Sequence, residues 1–186
     1  MEHSTSCRAF TLIELIFVIA VLSITLSMAI PLTNAFVQNE AKEASRQSIL
    51  SALRFARATA INSTELTTVC SLNPSGKCRA EWAETLSVFH DTNSNGIREP
   101  GERLVRTIKI DLSQWSQKNR PGTRSHFQWN SLGLSNGTPG SMEFCHPSSA
   151  KNRFAVVISF SGRIRTSLDF DGDGTEERAP GTPVTC

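Results

Sequence analysis

The chain has 186 residues, 39% of them hydrophobic. That length accommodates one core of ordinary size plus an appendage and leaves no room for a multidomain assembly. With 19 Lys and Arg against 17 Asp and Glu, the formal charge of +2 argues neither for nor against a polyanionic partner, so the distribution of charge matters more than its sum. A polar stretch, Met1 to Ala9, carries Arg8 and precedes an apolar run from Phe10 to Ile30 that holds Glu14, Ser23, Thr25 and Ser27. As a helix the run is long enough to cross a hydrocarbon core. Glu14 lies about one turn inside it. A carboxylate there costs about 2.5–3.5 kcal/mol at mid-helix and less near an end, so it marks function and calls for a cationic partner. A secretory signal peptide cut after Ser27-Met28-Ala29 fits poorly. Its apolar region would be too long, it would contain an acid, and the mature chain would open on Ile30-Pro31.

The stretch Ala9-Phe10-Thr11-Leu12-Ile13-Glu14 resembles the processing site of type IV pilins and pseudopilins. The resemblance implies cleavage by a prepilin peptidase between Ala9 and Phe10 and methylation of the Phe10 amine. It also implies that Glu14 pairs with the amine of a neighbouring subunit. The family has glycine before the cut, where this chain has Ala9.

Pro31 is expected to kink the helix and not end it, because helix-forming sequence resumes at once. Ile49, Leu53, Ala56 and Ala60 form one apolar stripe, with Arg46, Arg54 and Arg57 off it. One helix is therefore expected over 10–62, roughly 75–80 Å long, with residues 10–30 transmembrane. Beyond Asn62, short β-branched and apolar runs alternate with Gly, Pro, Asn and Ser. Strands are predicted at Leu66–Cys70, Leu86–His90, Leu104–Ile110, His126–Asn130, Met142–Cys145, Phe154–Phe160 and Arg163–Leu168. Phe154, Val156, Ile158 and Phe160 would share one face of a central strand. Lys118–Gly122 and Ser131–Gly140 read as surface loops. No βαβ alternation appears, so the class is α+β: a long N-terminal helix packed on a mostly antiparallel β domain. The organisation is a leader at 1–9, the helix at 10–62 and a β-rich periplasmic domain at 63–186.

Cys7 falls in the leader, leaving Cys70, Cys78, Cys145 and Cys186. An even count beyond a membrane segment implies disulfides in an oxidising compartment. Three connectivities are possible; Cys70 and Cys78 flank the turn Asn73-Pro74-Ser75-Gly76, so they are expected to pair, which would leave Cys145 for Cys186. No C-x-x-C spacing suggests zinc. His90, His126 and His146 are scattered and no serine sits in a nucleophile elbow, so no enzyme is expected. Two acidic loops have cation-loop spacing. Asp91, Asn93, Asn95, Gly96 and Glu102 match the twelve-residue calcium pattern. Asp169, Asp171 and Asp173 match its first half, with Glu176 or Glu177 as the closing carboxylate. No cofactor other than Ca²⁺ is suggested. For the first loop the competing reading is an Asx- and Gly-rich hairpin loop bonded to its own backbone, and for the second a solvated acidic turn.

Cys70 to Cys78, Trp82, Val88-Phe89, Asp91 to Gly96, Pro100-Gly101-Glu102, and Phe154–Ser161 followed by Gly162-Arg163-Ile164-Arg165 resemble the H-type pseudopilin group. That group includes the FimT and FimU minor pilins. The resemblance implies a single-pass inner-membrane precursor that assembles with other pilins through its helix. It would prime or cap a type IV pilus or a type II secretion pseudopilus. In the secretion alternative the protein contacts exported proteins and no DNA. In the DNA-uptake branch a Gly-Arg-x-Arg motif is associated with DNA, and Gly162, Arg163 and Arg165 match it. Ser161-Gly162 reads as a two-residue turn. Arg163 and Arg165 would then share an exposed face suited to phosphate oxygens, with Ile164, Thr166 and Leu168 inward. Lys151, Arg153 and the basic stretch Arg103–Arg124 would assist. The competing reading pairs Arg165 with the acidic loop at Asp169 and Asp171.

Overall fold

The structure, a computed structural model, describes residues 11–121, 125–147 and 152–185, with side chains at 28–35 and 38 excepted. The chain divides into two compact units, Met1–Glu40 and Ala41–Cys186. Helix α1, Leu12–Ser63, belongs to both and runs through Pro31 without a break. Thr11 caps its start: the Thr11 hydroxyl accepts from the Glu14 N–H at 3.3 Å. The helix stops where Thr64 turns left-handed, at φ 60°.

In the first unit the side chains from Thr11 to Ser27 are all exposed. Among the described residues no helix is long and apolar enough to cross a membrane. The expected span over 10–30 extends at both ends beyond the described side chains.

In the second unit, Ile49, Leu53, Ala56 and Ala60 are fully buried, as the stripe predicts. Around them stand three antiparallel sheets. The strands are β1 Thr67–Cys70, β2 Thr85–His90, β3 Leu104–Lys109, β4 Ser116–Arg120, β5 Phe127–Trp129, β6 Gly140–Cys145, β7 Arg153–Ile158, β8 Ile164–Thr166, β9 Glu177–Ala179 and β10 Thr182–Pro183. The orders are β3-β2-β1-β5, β4-β6-β7-β8 and β10-β9. One apolar cluster joins the helix stripe to Val69 and Val88 of the first sheet and to Met142, Phe144, Phe154 and Val156 of the second. Phe144 and Phe154 stack at 4.9 Å between centroids.

Four expectations are corrected. Ser116–Arg120, overlapping the expected Lys118–Gly122 loop, is an edge strand in register with Ser141–Cys145. It contains no apolar residue to reveal it. The β7–β8 connection is a three-residue loop, Phe160-Ser161-Gly162, because Ser159 N–H bonds the Arg163 carbonyl and Gly162 N–H bonds the Ser159 carbonyl. Phe160 therefore leaves the strand and stands 79% exposed at the tip. Leu168, past the end of β8, is exposed and not inward. Arg46, off the apolar stripe as expected, is nonetheless buried because Glu176 meets it from the acidic loop.

Glu143 shows how the outer face of the second sheet is closed. Met142 and Phe144 point into the core, so Glu143 points away from it, yet it is 0% exposed. Arg120 of β4 bonds one carboxylate oxygen, and Arg178 Nε of β9 lies 2.9 Å from the same atom. The Thr185 N–H donates to the other at 3.1 Å. The C-terminal segment thus covers this face through one carboxylate.

Candidate functional site

The N-terminal helix offers the first candidate surface. Its polar residues are handled internally: Ser23 donates to the Ile19 carbonyl, Thr25 to Leu22 and Ser27 to Ile24, at 2.7–2.9 Å. These hydroxyls need no partner from solvent, which lets them sit in an apolar environment. Glu14 occupies the first turn, where a carboxylate also suits the helix dipole. Ala9 and Phe10, the expected cleavage site, lie outside the described residues.

Cys70 and Cys78 form a disulfide, as expected, with Cα atoms 5.6 Å apart. Cys145 is also disulfide-bonded. Its expected partner, Cys186, lies outside the described residues. The neighbouring Thr185 N–H reaches Glu143, two residues from Cys145.

The two acidic loops are built differently. Asp91 is fully buried, and its carboxylate accepts from Thr68, Gln128, Gly96 and Asn95 at 2.8–3.1 Å. Glu102 accepts from Thr92 and Glu99 N–H groups. The Asn93 and Asn95 amides both reach Glu99. The carboxylate oxygens of this loop are committed to the chain's own donors. Asp169, Asp171 and Asp173 are exposed, with one ligand oxygen from each lying within 4.8 Å of the others. Partial desolvation pushes the Asp169 carboxyl up, but hydrogen bonds with the Gly174, Gly172 and Asp173 N–H groups and with the Asp171 side chain together outweigh it and hold the group below its ordinary value. Glu176 does not close this loop. It turns inward, where Lys42 lies at 3.1 Å, Arg46 bonds the same oxygen, and Ser167 takes the other at 2.5 Å. Glu177 accepts from the Gly181 N–H at 3.1 Å, within its own hairpin.

The arginines of the Gly-Arg-x-Arg motif are both exposed, but they diverge in environment. Arg165 donates to the Arg178 carbonyl and not to the acidic loop. It lines a cleft with Arg120 and Arg178, both engaged by Glu143. Arg163 lines a separate cleft with Arg54 and Arg57 of α1. Sequence reasoning left those two unassigned; the signal was a pair of arginines three apart beside the apolar stripe. Gly162 is buried at φ 70°, and a Cβ there would overlap the Gly133 carbonyl oxygen. Trp129 Nε1 donates to the Gly162 carbonyl at 3.1 Å, and the Ser135 N–H donates to Phe160. The turn carrying Arg163 is therefore pinned against the loop after β5. Arg153 donates to the Val184 carbonyl at 2.7 Å, a tie to the C-terminal segment. Lys151 lies outside the described residues.

Comparison with known proteins places this architecture. The family model "Type II transport protein GspH" matches residues 45–162. The model "Prokaryotic N-terminal methylation motif" matches residues 4–30. The crystal structure of the type IV minor pilin FimU of Pseudomonas aeruginosa is similar at a TM-score of 0.53 and 19% identity. The match covers 70% of this chain and 90% of that one. A second crystal form of the same FimU gives a TM-score of 0.49. No curated protein sequence matches. The pilin-like α+β fold agrees with the expectation from sequence. The methylation motif and the GspH match imply a membrane-anchored, periplasm-facing component that assembles with other pilins and carries no enzymatic activity. This chain belongs to the GspH family of type IV pilin-like proteins.

Proposed function

We propose that this protein is a minor pilin that primes or caps a type IV pilus and binds DNA on it for uptake. A prepilin peptidase cuts between Ala9 and Phe10, the new amine is methylated, and Glu14 meets the amine of a neighbouring subunit. The observation that carries the filament role is the helix surface from Thr11 to Ser27. It is apolar and exposed, with every described hydroxyl from Ser23 to Ser27 bonded within the helix. Such a surface needs lipid or other helices against it. The DNA role rests on the match to the Gly-Arg-x-Arg motif and on the exposure of Arg163 and Arg165. Contacts to phosphates make the binding sequence-independent and salt-sensitive.

Intact-mass analysis of the envelope protein tests maturation. A chain beginning at methylated Phe10 is expected; an uncut Met1 or a start at Ile30 refutes it. Glu14→Val inserts in the membrane and assembles poorly. Duplex DNA titrated at two salt concentrations tests the second role, and absence of salt-sensitive binding removes it. The family description, which names type II transport, favours a second reading as a secretion pseudopilin that contacts exported proteins. A deletion that loses enzyme secretion, and retains pili and DNA uptake, selects that reading.

A further inference from the structure

Arg54 and Arg57 are three apart on α1, so their side chains are neighbours on one helix face. Arg163 faces them from the β7–β8 turn across a cleft of about 260 Å³ that Ala58, Ile61 and Ile164 also line. Three arginines thus line one partly apolar cleft. Among the described residues none of the three has an ion-pair partner. Five other arginines of the domain are engaged, whereas Arg79, Arg98 and Arg103 likewise have no ion-pair partner among the described residues but line no cleft with these three. Arg46 meets Glu176, Arg120 and Arg178 meet Glu143, and Arg165 and Arg153 donate to carbonyls.

The arrangement is also held in place. Arg57 Nε donates to the Gly133 carbonyl at 2.9 Å, which leaves its two terminal nitrogens with no protein partner among the described residues. Gly133 is the residue against which Gly162 packs. One peptide group therefore orients Arg57 and seats the turn that bears Arg163. Forked donors set in this way suit the oxygens of a phosphodiester.

We propose that Arg54, Arg57 and Arg163 form the phosphate-binding group of this protein, with a DNA backbone phosphate seated in the cleft between α1 and the β7–β8 turn. The inference rests on the DNA reading above and reassigns its contacts: Arg165, tied to the Arg178 carbonyl, stands outside the group.

The test is fluorescence anisotropy of the full chain in detergent with two labelled duplexes of unrelated sequence, at ~50 and ~200 mM salt. The variants are R54Q, R57Q, R163Q and R165Q. Each phosphate contact contributes about −0.9 to the salt slope, or about eightfold in affinity at ~0.1 M salt. R54Q, R57Q and R163Q are each expected to lose about that factor on both duplexes and about one unit of slope. R165Q is expected to lose less affinity than R54Q. Arg54 is exposed and donates to no described group, so R54Q keeps the fold and decides the matter if R57Q disturbs the Gly133 contact. Wild-type affinity in R54Q, with loss in R163Q or R165Q, overturns this inference and leaves the DNA reading standing. No salt-sensitive binding by wild type overturns both.

Discussion

Replacing Glu143 with alanine probes how the C-terminal segment is held. The side chain is 0% exposed, and its removal leaves Arg120, Arg178 and the Thr185 N–H without their shared acceptor. Breaking a buried ion pair from one side costs about 3–5 kcal/mol. The two arginine side chains keep 35% and 24% of their exposure, so water replaces part of what is lost. The lower end, about 3 kcal/mol, is therefore expected. At about 2–4 °C per kcal/mol for a domain of this size, the melting point falls by about 6–12 °C. Fluorescence of Trp82, Trp115 and Trp129 during heating of the detergent-solubilised chain reads this out. If Glu143→Met is combined with Arg120→Met and Arg178→Met, no buried charge is orphaned and the loss should be smaller. A Glu143→Ala protein that melts within about 2 °C of wild type would refute the argument that this carboxylate closes the sheet face.

Gly162→Ala is expected to cost at least about 1–2 kcal/mol from its left-handed backbone alone, and more because the Cβ meets the Gly133 carbonyl; a melting curve checks it. Cys78→Ala removes a crosslink of sequence separation 8 and should cost about 2.5 kcal/mol in urea unfolding, with an unchanged melt excluding a stabilising role. Asp169 is held below its ordinary value, so its hydrogen bonds are complete above about pH 4 and are lost as pH falls through the lowered value. The Gly172 and Gly174 amide resonances should report that transition, and a midpoint above the ordinary value would contradict it.

Much of the fold is legible because local pattern and tertiary packing agree. The 49, 53, 56, 60 stripe needs only helical periodicity, and β7 needs only alternation. Ser116–Arg120 was hidden because an edge strand made of polar residues is specified by its neighbour's backbone and not by its own hydrophobicity. The burial of Arg46 and Glu143 was hidden for a related reason: their partners lie far away in sequence. The same limit applied to the arginine cleft. Arg163 was visible in a short motif and Arg54 and Arg57 were visible as off-stripe residues. Their meeting depends on the Gly133–Gly162 contact, which no spacing reveals.

The hydroxyls of Ser23, Thr25 and Ser27 bear on how the helix moves between surroundings. Each is satisfied by a carbonyl of its own preceding turn. A segment built this way exchanges no hydrogen bonds when it passes from lipid to a bundle of other helices. Among the described residues of the run, Glu14 is the one ionisable group whose surroundings must be settled anew in that passage. On the proposed filament role, extraction from the bilayer would be governed by the match of apolar shapes and by a single electrostatic gate at the helix start. A subunit presenting a cation there would open that gate; one without it would leave the helix where it is.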